Sequence, residues 1–301
     1  MSLVQIPVAT AIDLVRWEPA PCGAVILTQT CDLVLPGRPT FHVAPIRLLD
    51  EKDAKPARNG RQANLVHVPE LGPLSFADLT VVSTLHKSVL AGLETRRGVV
   101  QIGDVRKFGQ RIGRRFSRFA FPDDVVPWIR PLQKLVESRE GRLDSPAGWA
   151  FDRVVSLRLE CEEGWKSAPY ALTLCVILRA GVVPTFEPDF LPEMPAEISD
   201  WLYDKNGDVK PTANQIAERL KRDDEILDPT SRYWIWGGLV DAWAAACVAP
   251  QNAPQSVLNA LQEDRIRGDL CTSEDFSFER FRHSEELDLD HLSPALPLHI
   301  D

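Results

Sequence analysis

No stretch of this 301-residue chain approaches the roughly 20 consecutive apolar residues of a membrane-spanning helix, so no membrane association is expected. The first residues, Met-Ser-Leu-Val-Gln-Ile-Pro, have neither a basic start nor an apolar core. No secretory signal is therefore expected, and the cytoplasm is the expected compartment. No Cys-x-x-Cys pair occurs. The six cysteines, Cys22, Cys31, Cys161, Cys175, Cys247 and Cys271, sit mostly in apolar runs. That points to free thiols in a reducing compartment and away from disulfides or a zinc site. No motif with a single mechanistic meaning appears, and no cofactor is called for.

The chain has 44 % hydrophobic and 26 % charged residues, the balance of a soluble globular protein. Its length suits two domains. The net charge of −9 is unevenly spread. Residues 96–118 hold Arg96, Arg97, Arg106, Lys107, Arg111, Arg114, Arg115 and Arg118 against the single acid Asp104, a local +7 that leaves −16 for the rest. A basic stripe on an acidic protein predicts one face for an anionic partner, RNA or DNA, and repulsion of nucleic acid elsewhere.

The pattern predicts an α+β protein. In residues 1–121, short apolar or alternating runs at Ile12–Trp17, Ala24–Gln29, Phe41–Leu49, Asn64–Val68 and Leu79–Leu85 read as strands between Pro- and Gly-marked turns. Five such strands suggest a small barrel, with a short helix over Asp50–Arg58. Residues 104–121 read as an amphipathic helix: Val105, Phe108, Ile112, Phe116 and Phe119 form an apolar stripe, the basic residues lie opposite, and Pro122 stops it. Residues 122–148 are rich in proline and read as a linker. Residues 149–301 read as an α+β sandwich, with the ferredoxin-like arrangement as one form of it. Two strands, Val154–Cys161 and Ala171–Leu178, flank a hairpin turn. A capping box at Thr212–Gln215 opens a helix. Another helix, begun by Asp228-Pro229, carries Trp234, Trp236 and Trp243 and reads as buried. A short helix over 255–264, a strand over Ile266–Cys271, a helical turn near Asp275–Arg282 and an edge strand at Leu287–Asp290 complete the reading.

The stretch Cys22–Asp32 stands at the centre. Ala24–Leu27 is a buried-strand run that breaks abruptly into Thr28, Gln29, Thr30, Cys31 and Asp32. Gln29, Thr30 and Asp32 offer donors and acceptors suited to a nucleobase edge or a peptide backbone, or they fix the turn at Leu35-Pro36-Gly37. Cys31 with His42 would make a thiol–imidazole pair, the alternative being a packed thiol. Lys107, Arg111, Arg114, Arg115 and Arg118 line up donors for phosphates, or form a solvated face. Glu285, Glu286, Asp288, Asp290 and His291 are the right types for a divalent metal, but an amphipathic strand with leucines inward is the preferred reading, so no metal is assigned.

The order Ala24-Val-Ile-Leu-Thr, Val43-Ala-Pro-Ile-Arg47, Val66-His-Val and Asp78–Lys87, followed by a helix, resembles the MazF/PemK-type toxins, SH3-like barrels that cleave RNA. The resemblance covers about a third of the chain and implies an SH3-like barrel for the first domain. The family's catalytic Arg would precede Ala24, where Pro21 and Cys22 stand, and its Ser or Thr would fall at Arg47. The barrel thus carries over without the usual ribonuclease residues. The segments Gln29–Leu33, Arg114–Asp123 and Leu287–Ser293 also resemble the marks of an uncharacterised bacterial family that invites comparison with phage-defence and toxin components. Three functions follow as expectations: a nucleic-acid-binding component of such a system, a Cys31/His42-dependent hydrolase, or a module binding an operon-encoded protein partner.

Overall fold

Prolines and polar breaks cut the first third of the chain into short strands, and the computed structural model shows how they pair. It describes residues 4–11, 14–58, 62, 64–116, 119–139, 142–186 and 191–287. The chain divides into two α+β units, Met1–Arg118 and Phe119–Asp301.

In the first unit, β1 (Gln5–Ala11) and β2 (Leu14–Pro19) pair antiparallel as a ribbon. β1 lies in a stretch whose sequence does not mark it as a strand. Then come β3 (Ala24–Ile26), the single turn α1 (Thr30–Leu33), β4 (Thr40–Leu48), α2 (Glu51–Arg58), β5 (Leu65–His67), β6 (Ser75–Asp78), β7 (Ser83–His86) and α3 (Ile102–Phe116). The sheet runs β3-β4-β6-β5, with β7 also on β4. β4 is the shared strand: Thr40–Val43 pair with β7 and Ile46–Leu48 with β6. Pro45 falls at the break between these two pairings, where a missing N–H breaks no ladder bond. The alternation along β4 sends Phe41 and Val43 into a small core with Ile6, Ala20, Ala24 and Leu85. Ala44 goes to the other face, against Val66, Val68, Ala77 and Leu79. Arg47 ties β4 to β6: its Nε donates to Asp78 Oδ2 at 2.5 Å.

The second unit begins at Phe119. Phe119, placed by periodicity on the basic helix, and Phe121, at the end of the expected span, instead pack on Trp165, with ring centroids 5.2 and 5.3 Å away. The expected linker over 122–148 is corrected. Residues 126–139 form α4 (Val126–Arg139), and α5 (Pro146–Asp152) follows. Val125, Trp128, Ile129 and Leu132 recur at i, i+3, i+4 and i+7 and are buried, so burial of this stripe outweighs the cost of Pro131 inside the helix. Trp128 Nε1 donates to the Val257 carbonyl at 2.8 Å.

β8 (Val154–Cys161) and β9 (Leu172–Leu178) form the expected hairpin. Then follow α6 (Ala196–Leu202), α7 (Ala213–Asp223), α8 (Pro229–Ala245), α9 (Gln255–Leu258), β10 (Arg267–Thr272), α10 (Phe278–His283) and β11 (Ser284–Glu286). The capping box at Thr212 and Gln215 is formed at α7, and Asp228 caps α8. α8 is apolar all round because it is enclosed: Trp236 and Trp243 are fully buried, and Trp243 stacks on Phe151 with centroids 4.7 Å apart. The sheet order is β10-β9-β8-β11, with β10 parallel to β9 and the other pairs antiparallel. This corrects the ferredoxin-like expectation. That pattern inserts a strand between the two strands joined by a helical crossover, whereas here the crossover joins the neighbours β9 and β10.

Candidate functional site

Thr28 explains why the apolar run breaks where it does. Leu27 N–H donates to the His42 carbonyl at 2.9 Å, the last backbone bond between β3 and β4. The His42 N–H is then taken by Thr28 Oγ1 at 2.7 Å, so a side chain replaces the next ladder bond and the chain turns away. Gln29, just before α1, and Thr30 and Cys31 within it emerge exposed. Asp32 pairs with Arg38 at 2.8 Å, and Lys87 Nζ donates to the carbonyls of Asp32 and Leu35 at 3.0 and 2.8 Å. Asp32 therefore works in holding the turn.

The thiol–imidazole pair is not formed. Cys31 Sγ meets Gln29 Oε1 at 3.6 Å, while His42 Nδ1 lies 3.4 Å from Thr28 Oγ1. The two side chains have different partners, and no bond between them is formed among the described residues, so the structure offers the hydrolase reading no paired base.

Two concavities flank α3. The larger, of about 980 Å³, is walled by Pro21–Thr30, by residues 94–100 and by Val105, Phe108, Gly109 and Ile112 of the helix. The 94–100 segment is pinned by Glu70 N–H, which donates to the Gly98 carbonyl at 3.2 Å. Gly98 lies so close to Val68 that a Cβ there would sit 2.8 Å from Val68 Cγ1. The smaller, of about 380 Å³, is lined by Arg58, Val66, His67, Pro69, Asp104, Lys107, Phe108 and Arg111. At 100° per residue, Val105, Gly109 and Ile112 share one flank of α3 and Asp104, Lys107 and Arg111 another, with Phe108 between.

The polar residues after Leu27 and the cations of α3 thus open onto different hollows. Arg96 and Arg97, counted with the basic stripe in sequence, stand in the loop on the large groove's wall. Lys107 is exposed in the small cleft. Arg111 donates to the Arg58 carbonyl at 2.6 Å and to the Ala57 carbonyl, so it also caps the C-terminus of α2. Burial and the neighbouring Arg114 hold the Arg111 pKa below its ordinary value. Arg114 and Arg115 are half-buried, and Arg115 Nε has no hydrogen-bond partner among the described residues. Arg118 lies outside the described residues. His67 sits in the cleft with its Nε2 3.3 Å from the Gly72 carbonyl. Its pKa is held below 6.5 by burial first, then by the charges of Arg58 and Arg111.

Net charge divides with the units. Residues 1–118 carry sixteen Lys and Arg against ten Asp and Glu, a net +6, while residues 119–301 carry eighteen against thirty-three, a net −15. In the second unit the second face of the sheet gathers Arg280 with Glu160 at 2.7 Å and Asp269 at 2.6 Å. The sulfurs of Cys175 and Cys271 each lie 3.2 Å from the same guanidinium. Burial pushes both thiols up, Cys175 to about 12, so neither is a nucleophile. No group of three metal-ligating side chains gathers among the described residues. Asp288, Asp290 and His291 lie outside them.

The fold and site define a two-unit α+β chain whose basic first unit carries two hollows on one helix and whose second unit is strongly acidic. No family model, curated protein or solved structure matches it.

Proposed function

We propose that the first unit binds nucleic acid, with phosphates along the basic flank of α3. The observation that carries this is the charge partition: a +6 unit in a −9 chain, with Arg58, Lys107 and Arg111 converging on one cleft. Arginine and lysine in a cleft recognise phosphate without needing a sequence-specific contact, and the acidic second unit repels the same ligand elsewhere. The shared strand β4, pairing with β7 at one end, β6 at the other and β3 along its middle, supports reading this sheet as an SH3-like barrel. The resemblance to toxin-type barrels, with Arg47 spent on Asp78, supports a binding component of a bacterial defence or toxin-like system rather than a ribonuclease. The test is binding of a labelled oligonucleotide by the full chain. Affinity that falls with salt and drops on Lys107→Glu supports the reading. Binding that is absent, or indifferent to Lys107→Glu, overturns it.

A further inference from the structure

The larger hollow is built differently from the cleft. Its floor is an unpaired strand edge. Among the described residues β3 pairs with β4 alone. The bonds from Ile46 N–H to the Gly23 carbonyl and from Leu27 N–H to the His42 carbonyl set the phase of the ladder. In an antiparallel pair the residues between these direct their N–H and C=O the other way. Ala24, in this phase, is buried in the small core, while Ile26, in the same phase and half-buried, turns its donor and its acceptor away from β4, towards the groove it lines. No backbone group among the described residues takes them up.

Above this edge stand Val25 and Leu27, packed with Phe108 and Ile112 of α3, so the groove has a strand on one side and the apolar flank of a helix on the other. An exposed edge is a template for another strand, and proteins without a use for it block it with charge, proline or a covering element. Here the outward position left uncovered is an isoleucine, Ile26. A strand edge beside a helix is the geometry in which extended peptides add to a sheet, main-chain bonds supplying affinity and side-chain hollows supplying choice. Val25–Thr28, the half-buried part of this edge, offers room for about four residues of partner, roughly 13 Å at 3.3 Å each.

The rim indicates the partner's charge. Arg96 and Arg97 are exposed on the groove wall, and neither guanidinium makes an ion pair among the described residues. Glu94 is the one acid lining the groove among the described residues. We infer that this groove takes an extended peptide of a partner protein, paired as an added strand on β3, with apolar side chains against Phe108 and Ile112 and an acidic residue at Arg96 and Arg97. A nucleic-acid strand lacks the paired N–H and C=O that would satisfy Ile26, and the groove's apolar wall has no use for its phosphates.

The experiment is selection of a displayed library of random decapeptides against the full-length chain, followed by binding of the enriched sequences to two variants. Ile26→Pro removes the outward N–H, and proline is tolerated on an edge strand. Arg96→Glu with Arg97→Glu reverses the rim on an exposed loop. Enriched peptides should carry acidic residues beside alternating apolar ones, and each variant should bind them about tenfold more weakly or worse. Circular dichroism of both variants reports whether they fold. If Ile26→Pro does not fold, the rim variant and a proline scan of the enriched peptide give the same reading. No enrichment, enriched peptides indifferent to the rim variant and to proline, or displacement of the peptides by oligothymidylate would each overturn the inference.

Discussion

Replacing Lys107 by glutamine removes one cation from the small cleft and leaves the fold alone. The side chain is exposed and holds no hydrogen bond among the described residues. Each phosphate contact on a single strand contributes about −0.7 to the slope of log affinity against log salt. Three cations line the cleft, Arg58, Lys107 and Arg111. Their full engagement gives a slope of about −2.1, a loss of about twentyfold between about 50 and 200 mM salt. Lys107→Gln should lower the slope to about −1.4 and weaken binding about fivefold at about 0.1 M salt, with the deficit vanishing near 1 M. The assay is fluorescence anisotropy of labelled oligothymidylate and oligouridylate over a salt series. Arg96→Gln is the control, because that side chain lines the other hollow. A slope near zero refutes the phosphate contacts. Equal losses from Lys107→Gln and Arg96→Gln mean a diffuse field around the basic unit and refute the cleft.

Binding should also strengthen as pH falls below 6.5. His67 is held below that value by burial and by Arg58 and Arg111, with Asp104 opposing, so a polyanion that offsets those charges makes the imidazole take up a proton. Isothermal titration in buffers of different ionisation heat should show that uptake, and His67→Gln should abolish it; a pH-independent affinity counts against the site. The sign is opposite for the free protein. A depressed imidazole stabilises the fold fully above its unfolded pKa and loses that contribution as pH falls through and below it. Gly148→Ala should lower the melting temperature. A Cβ there would overlap the carbonyl oxygens of Arg142 and Arg139, and overpacking of about 1–3 kcal/mol exceeds the helix-propensity gain of about 1 kcal/mol. An unchanged melting temperature would show that the approach is looser. Iodoacetamide followed by mass spectrometry should label Cys22 and Cys31 early and Cys161, Cys175, Cys247 and Cys271 late, because the first two are exposed and burial raises the pKa of the other four. Labelling of Cys31 far ahead of Cys22 would reopen its case as a nucleophile.

Where side chains alternate or recur along one element, the amino-acid order alone was enough. It places β8 and β9 with their turn, the capping box of α7, the enclosed tryptophan helix α8 and the two-sided character of α3, because burial of one face demands a period that can be read directly. Local composition misled at α4, where prolines hid the stripe Val125, Trp128, Ile129 and Leu132. Periodicity misled at Phe119, whose helical spacing pointed to α3 while its packing partner, Trp165, lies far along the chain.

What the order of residues determined by itself was the charge asymmetry, the type of most elements and the abrupt end of β3. What tertiary structure decided was adjacency. It gave Cys31 and His42 different partners, assigned Arg96 and Arg97 to a different hollow from Lys107, and turned the backbone of Ile26 into the groove beside the apolar flank of α3. The reason is physical: periodicity reports which face of an element is buried, but nothing local in the chain encodes which distant segment will lie against it.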